Sequence, residues 1–207
     1  MAATPRHFSM LRDFHVADWF TLANALCGAG AVLAAMASLA HDEGRHLALA
    51  MALVPVALLF DVLDGRVARW RHEASPFGRE LDSLADVISF GMAPAAIGYA
   101  VGLDGALDIA ALVYFVACGV SRLARYNVTA ESFAAESGKV TYFEGTPIPS
   151  SVLLVGLLAV ALATGRTGEA IWLGGFDLGG LAWHPLSLLF AVSGSLMISK
   201  TLRIPKP

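Results

Sequence analysis

Apolar residues run from Trp19 to Ala40 without a charge, enough for the roughly 20 residues that a helix needs to cross a bilayer. Leu47 to Phe60 is shorter, but its helical pattern continues through Asp61 and Asp64 to about Arg71, predicting a helix with a polar lower end. Pro76 and Gly78 break the pattern, which resumes from Arg79 to about Leu103 with Asp82 and Asp86 at its near end. Ile109 to about Arg125, Ile148 to Thr164 and Pro185 to Ser199 supply three more spans. The pattern therefore predicts an all-α, polytopic membrane protein with about six transmembrane helices. The run IWLGGFDLGGLAW at 171–183 is apolar yet rich in glycine, and reads as an interfacial loop, with a re-entrant piece as the alternative. No repeat, low-complexity tract or shift of composition marks a second domain. Residues 1–207 then form one membrane-embedded domain, with an N-terminal segment at 1–18, a six-helix core at 19–200 and a tail at 201–207.

Composition changes the picture only by excluding classes. With 57% hydrophobic and 15% charged residues the chain is unlike a soluble domain, whose charged share is about 25%. A net charge of −3 with no basic patch excludes nucleic acid as a partner. Cys27 and Cys118 lie far apart in apolar runs and read as buried small hydrophobes. The first apolar run is too long for a signal peptide, so the first helix is expected to stay. All but Arg45 and Arg166 of the fourteen Lys and Arg fall on one side when both termini are cytoplasmic. That orientation sets the aspartates at the cytoplasmic leaflet. Trp19, Trp70 and Trp183 read as interface anchors, and His15, His41, His46, His72 and His184 as solvated or interfacial residues of loops and helix ends.

The aspartates carry the chemistry. At about 100° per residue, Asp61, Asp64, Gly65, Ala68 and Arg69 share a stripe of about 140° on the second helix. Gly78, Asp82 and Asp86 share one on the third. The hairpin centre lies near residue 73, so Asp61 stands opposite Asp86, and Asp64 opposite Asp82. Four carboxylates meeting between two helices repel one another unless cations neutralise them. All-oxygen ligation suits Mg²⁺, Mn²⁺ or Ca²⁺ rather than zinc. Two facing pairs can hold two ions, a device used in phosphoryl chemistry. Gly65, Ala68 and Gly78 leave room for a ligand to approach the backbone, and Arg66, Arg69, Arg71 and Arg79 can meet phosphate oxygens. Other readings of these residues are ion pairs between aspartate and arginine, small residues serving helix packing alone, a cation transporter or a structural scaffold.

From Asp61 to Asp86 the residues spell D-x-x-D-G-x-x-A-R-x8-G-x3-D-x3-D. This resembles the signature of the CDP-alcohol phosphatidyltransferases. Within that family SPFGRELDSLADVISFGMAPA (75–95), SRLARYNV (121–128) and YFEGTPIPSS (142–151) are similar to the integral-membrane phosphatidylserine synthases, and TLANALCG (21–28) extends the likeness. Val87 stands where relatives using inositol phosphate tend to carry arginine and those using glycerol phosphate often carry lysine. Thr146 departs from the leucine common in serine synthases.

The resemblance implies a six-helix homodimer that displaces CMP from CDP-diacylglycerol with the hydroxyl of L-serine, using two divalent cations, Mg²⁺ or Mn²⁺. Another small alcohol, glycerol phosphate or inositol phosphate is the alternative acceptor. Residue by residue, it implies that Asp61, Asp64 and Asp82 are metal ligands, and that Asp86 is both ligand and general base. Gly65, Ala68, Arg69, Ser75 and Gly78 would contact the CDP moiety, with Thr21 and Asn24 as further nucleotide candidates. Arg122 and Arg125 would meet the carboxylate of serine.

Overall fold

The computed structural model describes residues 14–41, 44–71, 75–136, 142–201 and 203–205. Most of the expected terminal segments, and His72, lie outside the described residues. Helix α1 spans Val16–His41 and α2 spans Gly44–Arg71. Helix α3, Pro76–Asp86, passes through a π-helical turn at Val87–Met92 into α4, Ala93–Val101. Helix α5 covers Ala106–Glu136, α6 Val152–Ala163 and α7 Leu188–Ile198.

Four continuous helices are long and apolar enough to cross a membrane: Val16–His41, Gly44–Arg71, Pro76–Val101 and Ala106–Val128. Ile148–Ala163 and Pro185–Ile198 are shorter apolar helices, each opening on a 3₁₀ turn. The all-α membrane architecture of about six helices is thus present.

Three boundaries differ from the sequence reading for identifiable reasons. Pro76 and Gly78 do not precede the third helix but belong to its first turn. Pro76 sits where a helix has no use for its missing N–H, and Ser75 caps the end by accepting from the Gly78 N–H at 2.9 Å. Helix α5 starts before Ile109 because Asp108 reaches back to accept from the Gly105 N–H at 3.1 Å. The run at 171–183 holds a short antiparallel hairpin, β2 (Phe176–Asp177) with β3 (Ala182–Trp183), its apolar side chains Phe176, Leu178 and Leu181 exposed. A second strand pair, β1 (Tyr142–Glu144) with β4 (Arg203–Pro205), joins the segment before α6 to the chain end.

His184 corrects a further expectation. More than a solvated or interfacial loop residue, it is engaged: its Nδ1 lies 2.6 Å from Asp108 Oδ2, its backbone N–H donates to Asp108 Oδ1 at 2.8 Å, and its side chain is 14% exposed. The pair clamps the hairpin segment to the start of α5. Cys27 and Cys118 are free, and Cys118 is buried as expected, whereas Cys27 is only half-buried; Trp19 and Trp70 are exposed.

The core sets a stripe of small residues on α1, among them Gly28, Ala31 and Ala35, against larger apolar side chains of the other helices. Phe115 of α5 meets Phe190 of α7 edge-on at 5.4 Å, and Phe90 is fully buried. Without a hydrophobic drive inside lipid, helices associate through close packing, and glycine sets how close they come. Gly145 shows the demand most sharply. Its φ is +72°, and a Cβ there would strike the Met197 carbonyl, whose carbon lies 2.9 Å from that point. Gly145→Ala is expected to destabilise the protein by more than ~1 kcal/mol, read as a lower Tm in detergent; an unchanged Tm would contradict this packing.

Candidate active site

The site lies where the N-terminal half of α1, the last turns of α2 and the first turns of α3 converge. Oxygen atoms of Asp61, Asp64 and Asp82 all lie within 4.8 Å of one another. Asp61 and Asp64 are three residues apart on α2, so they project from one face, and Asp82 approaches from α3. Asp86, one helical turn further, is outside this tight trio but within electrostatic reach of Asp82, Asp61 and Asp64. The sequence reading of four carboxylates facing each other is thus met as three plus one.

The alternative reading of these carboxylates as ion pairs finds no support among the described residues. Among the described residues none of the four makes a salt bridge to Lys or Arg within 4.0 Å. Asp64 and Asp86 are each only 6% exposed, and Asp82 Oδ1 is buried without a hydrogen-bond partner. Buried charge left in this state is costly, and a hard divalent cation is the partner that all-oxygen donors suit. The donor set therefore fits the divalent ions implied by the sequence.

Helix α1 supplies a layer behind the acids. Thr21 Oγ1 donates to Asp64 Oδ2 at 2.7 Å, and Asn24 Nδ2 donates to Asp86 Oδ1 at 3.3 Å. Both residues, expected at a nucleotide, are buried and hold carboxylates here. Asp18 went unremarked in the sequence. It is buried one turn before Thr21, accepts from the His15 N–H at 2.8 Å and adds negative charge near Asp64. Its signal was a polar residue recurring on the buried stripe of α1 beside Thr21 and Asn24.

The remaining site residues surround this centre. Gly78 is flanked by Asp18 Oδ1 and Ser75 Oγ, 3.0 and 3.2 Å from where a Cβ would stand, so a side chain there would close the space. Ser75 uses its oxygen as the helix cap, which leaves its O–H able to donate. Arg69 is exposed and folds back over Gly65, with Nη1 3.5 Å from the point a Cβ would occupy. Ala68 is half-buried beside it. Arg122 and Arg125 come from α5 but part company. The Arg122 Nε is buried with no hydrogen-bond partner among the described residues, and its guanidinium lies within reach of the negative charge of Asp86. Arg125 Nη1 donates to the Ile198 carbonyl at 3.4 Å, closing the end of α7.

Asn127 is a second omission of the sequence reading. Its Nδ2 donates to Glu80 Oε1 at 3.2 Å and to Ser83 Oγ at 3.1 Å, tying the flank of α3 to α5. Nothing in the local pattern marks it, because its partners stand 44 and 47 residues away.

The profile of the CDP-alcohol phosphatidyltransferases matches residues 14–192. The chain belongs to this family. Among curated relatives of this phosphatidyltransferase, the CDP-diacylglycerol–serine O-phosphatidyltransferase of Saccharomyces cerevisiae is 42% identical over 204 residues, covering 97% of this chain and 74% of the relative. Proteins of the same name from Helicobacter pylori and Methanocaldococcus jannaschii are 40% identical over 129 residues and 34% over 148. The match spans 52% of the first and 62% of the second. The acids assembled between α2 and α3 are thus set in a phosphatidyltransferase.

Proposed function

We propose that this phosphatidyltransferase moves the phosphatidyl group of CDP-diacylglycerol to the hydroxyl of L-serine, giving phosphatidylserine and CMP. The observation that carries the proposal is the meeting of Asp61, Asp64 and Asp82 within 4.8 Å, with Asp86 beside them. The names of the relatives support serine as acceptor.

Two divalent cations, Mg²⁺ or Mn²⁺, held by Asp61, Asp64, Asp82 and Asp86 would offset the diphosphate charge and that of the departing CMP. The protein's own groups do the rest. Gly65, Ala68 and Gly78 keep the space beside the acids open for the CDP moiety, and Arg69 and the Ser75 hydroxyl donate to phosphate oxygens. The acyl chains stay in lipid. Arg122, with a donor to spare near Asp86, receives the serine carboxylate and brings its hydroxyl toward that side chain. Asp86 takes the hydroxyl proton as the serine oxygen bonds to the lipid-proximal phosphorus. The bond from that phosphorus to the CMP oxygen breaks, and CMP leaves. A carboxylate base in reach typically contributes about 10²–10⁴-fold. Direct displacement predicts inversion at phosphorus.

In this reading the acids face the cytoplasmic leaflet, both termini are cytoplasmic, and the chain is a homodimer, as the distribution of basic residues and the family resemblance support. The deciding experiment supplies purified protein with CDP-diacylglycerol and serine, glycerol phosphate, inositol phosphate or other small alcohols, and follows CMP release. Release that depends on serine supports the proposal; release with another acceptor alone removes it. Arg122→Ala is expected to raise the KM for serine at least tenfold, about 1.4 kcal/mol, while the KM for CDP-diacylglycerol holds. Arg125→Ala is expected to change it less, because that side chain is engaged with Ile198.

A further inference from the structure

Asp86 stands at a junction where α3 gives way to the π-helical turn Val87–Met92. Such wide turns recur at functional sites because they redirect the residues that follow an important side chain. Here the turn lies against α1. Gly28 makes that approach possible: a Cβ at 28 would strike Ser89 Oγ and come within 2.7 Å of Ser89 Cα and 2.9 Å of its backbone nitrogen. Ser89, fully buried, uses the contact to donate from Oγ to the Asn24 carbonyl at 2.9 Å. Asn24, fully buried too, donates from Nδ2 to Asp86 Oδ1. The chain of contacts leaves the turn after Asp86, crosses to α1 and returns to Asp86 itself.

The Asn24 Oδ1 atom shows that stability alone does not explain this residue. It is buried without a hydrogen-bond partner among the described residues, which a folded protein bears at a cost that an apolar residue of similar size would avoid. What asparagine adds is one N–H aimed at Asp86.

We infer that Asn24 and Ser89 are positioning residues, which with the close contact at Gly28 hold the Asp86 carboxylate in the orientation used to accept the hydroxyl proton of the acceptor. Ser89 acts through Asn24: it fixes the α1 backbone from which the amide projects. The inference rests on the proposed reaction, in which Asp86 is the base, and not on which alcohol is used.

The test is a double-mutant cycle on the full-length protein in detergent or proteoliposomes. Asn24→Ala and Ser89→Ala each lower kcat for CMP release by about ten- to a hundred-fold, the range seen when a supporting hydrogen bond to an active-site group is removed, with the KM for both substrates unchanged. The double variant is no slower than Asn24→Ala alone, because the hydrogen bond of the Ser89 side chain reaches Asp86 only through Asn24. Asn24→Leu, which keeps the branching of the side chain and lacks the donor, remains folded by its melting curve and is as slow as Asn24→Ala. Multiplying losses in the double variant, an unchanged kcat in Ser89→Ala, or a loss confined to KM would each overturn the inference while leaving the proposed function in place. A wild-type protein that releases no CMP with any alcohol would overturn the proposed function first, and this inference with it.

Discussion

Asp86→Asn is expected to lower kcat for CMP release by about 10²–10⁴-fold, the contribution of a well-placed general base, and to leave the fold intact. The amide matches the carboxylate in size and can still accept from Asn24 Nδ2, so the buried contact at 3.3 Å has a counterpart in the variant. What it cannot do is take a proton from a hydroxyl that is scarcely ionised near neutral pH. Because Asp86 also stands beside the acidic trio, the measurement pairs kcat with Mn²⁺ affinity from electron paramagnetic resonance. A deficit in kcat that persists at saturating Mn²⁺ belongs to proton transfer. A variant that regains wild-type kcat once the ion saturates would show that Asp86 serves the ion alone, and the base would have to be sought elsewhere.

Removal of divalent ions is expected to have an effect as large. Chelation abolishes CMP release, and Mg²⁺ or Mn²⁺ restores it, since nothing among the described residues balances the charge of Asp61, Asp64 and Asp82. The same electrostatics predicts a crossing in stability. Without the ion, Asp82→Asn melts above the wild type, because it removes a buried charge and with it the repulsion from Asp64 and Asp61. With the ion at a hundred times its Kd the wild type gains about 2.7 kcal/mol, the variant gains less, and the order reverses. Thermal melts with chelator and across an ion titration read both arms. If Asp82→Asn is the less stable form under both conditions, the cluster is not held against its own charge, and the metal reading fails.

Much of this site was legible before any coordinates, for reasons of period. Asp61 and Asp64 are three residues apart and Asp82 and Asp86 four, so helical geometry alone places each pair on one face. A short turn between antiparallel helices then brings the faces together. Asp86 stands outside the trio, one helical turn beyond Asp82 on α3, because which facing residues come closest depends on how the two helices are rotated and splayed, and no local spacing announces that. Pro76 illustrates the limit of treating residues as breakers: the ring that stops a helix from within is at home in its first turn, and only the Ser75 cap decides which applies. His184 looked like an ordinary loop residue because its partner Asp108 is 76 positions away.

The sequence by itself determined the solvent, the helices and the chemistry of the acids, since each depends on composition or on a period of a few residues. Tertiary structure alone decided which side chains stand behind the acids. Thr21 meets Asp64 across 43 residues, Asn24 meets Asp86 across 62 and Ser89 meets the Asn24 backbone across 65. Those meetings depend on the rotation and closeness of packed helices, which glycine and a widened turn set jointly, and such distances exist only after the chain has folded.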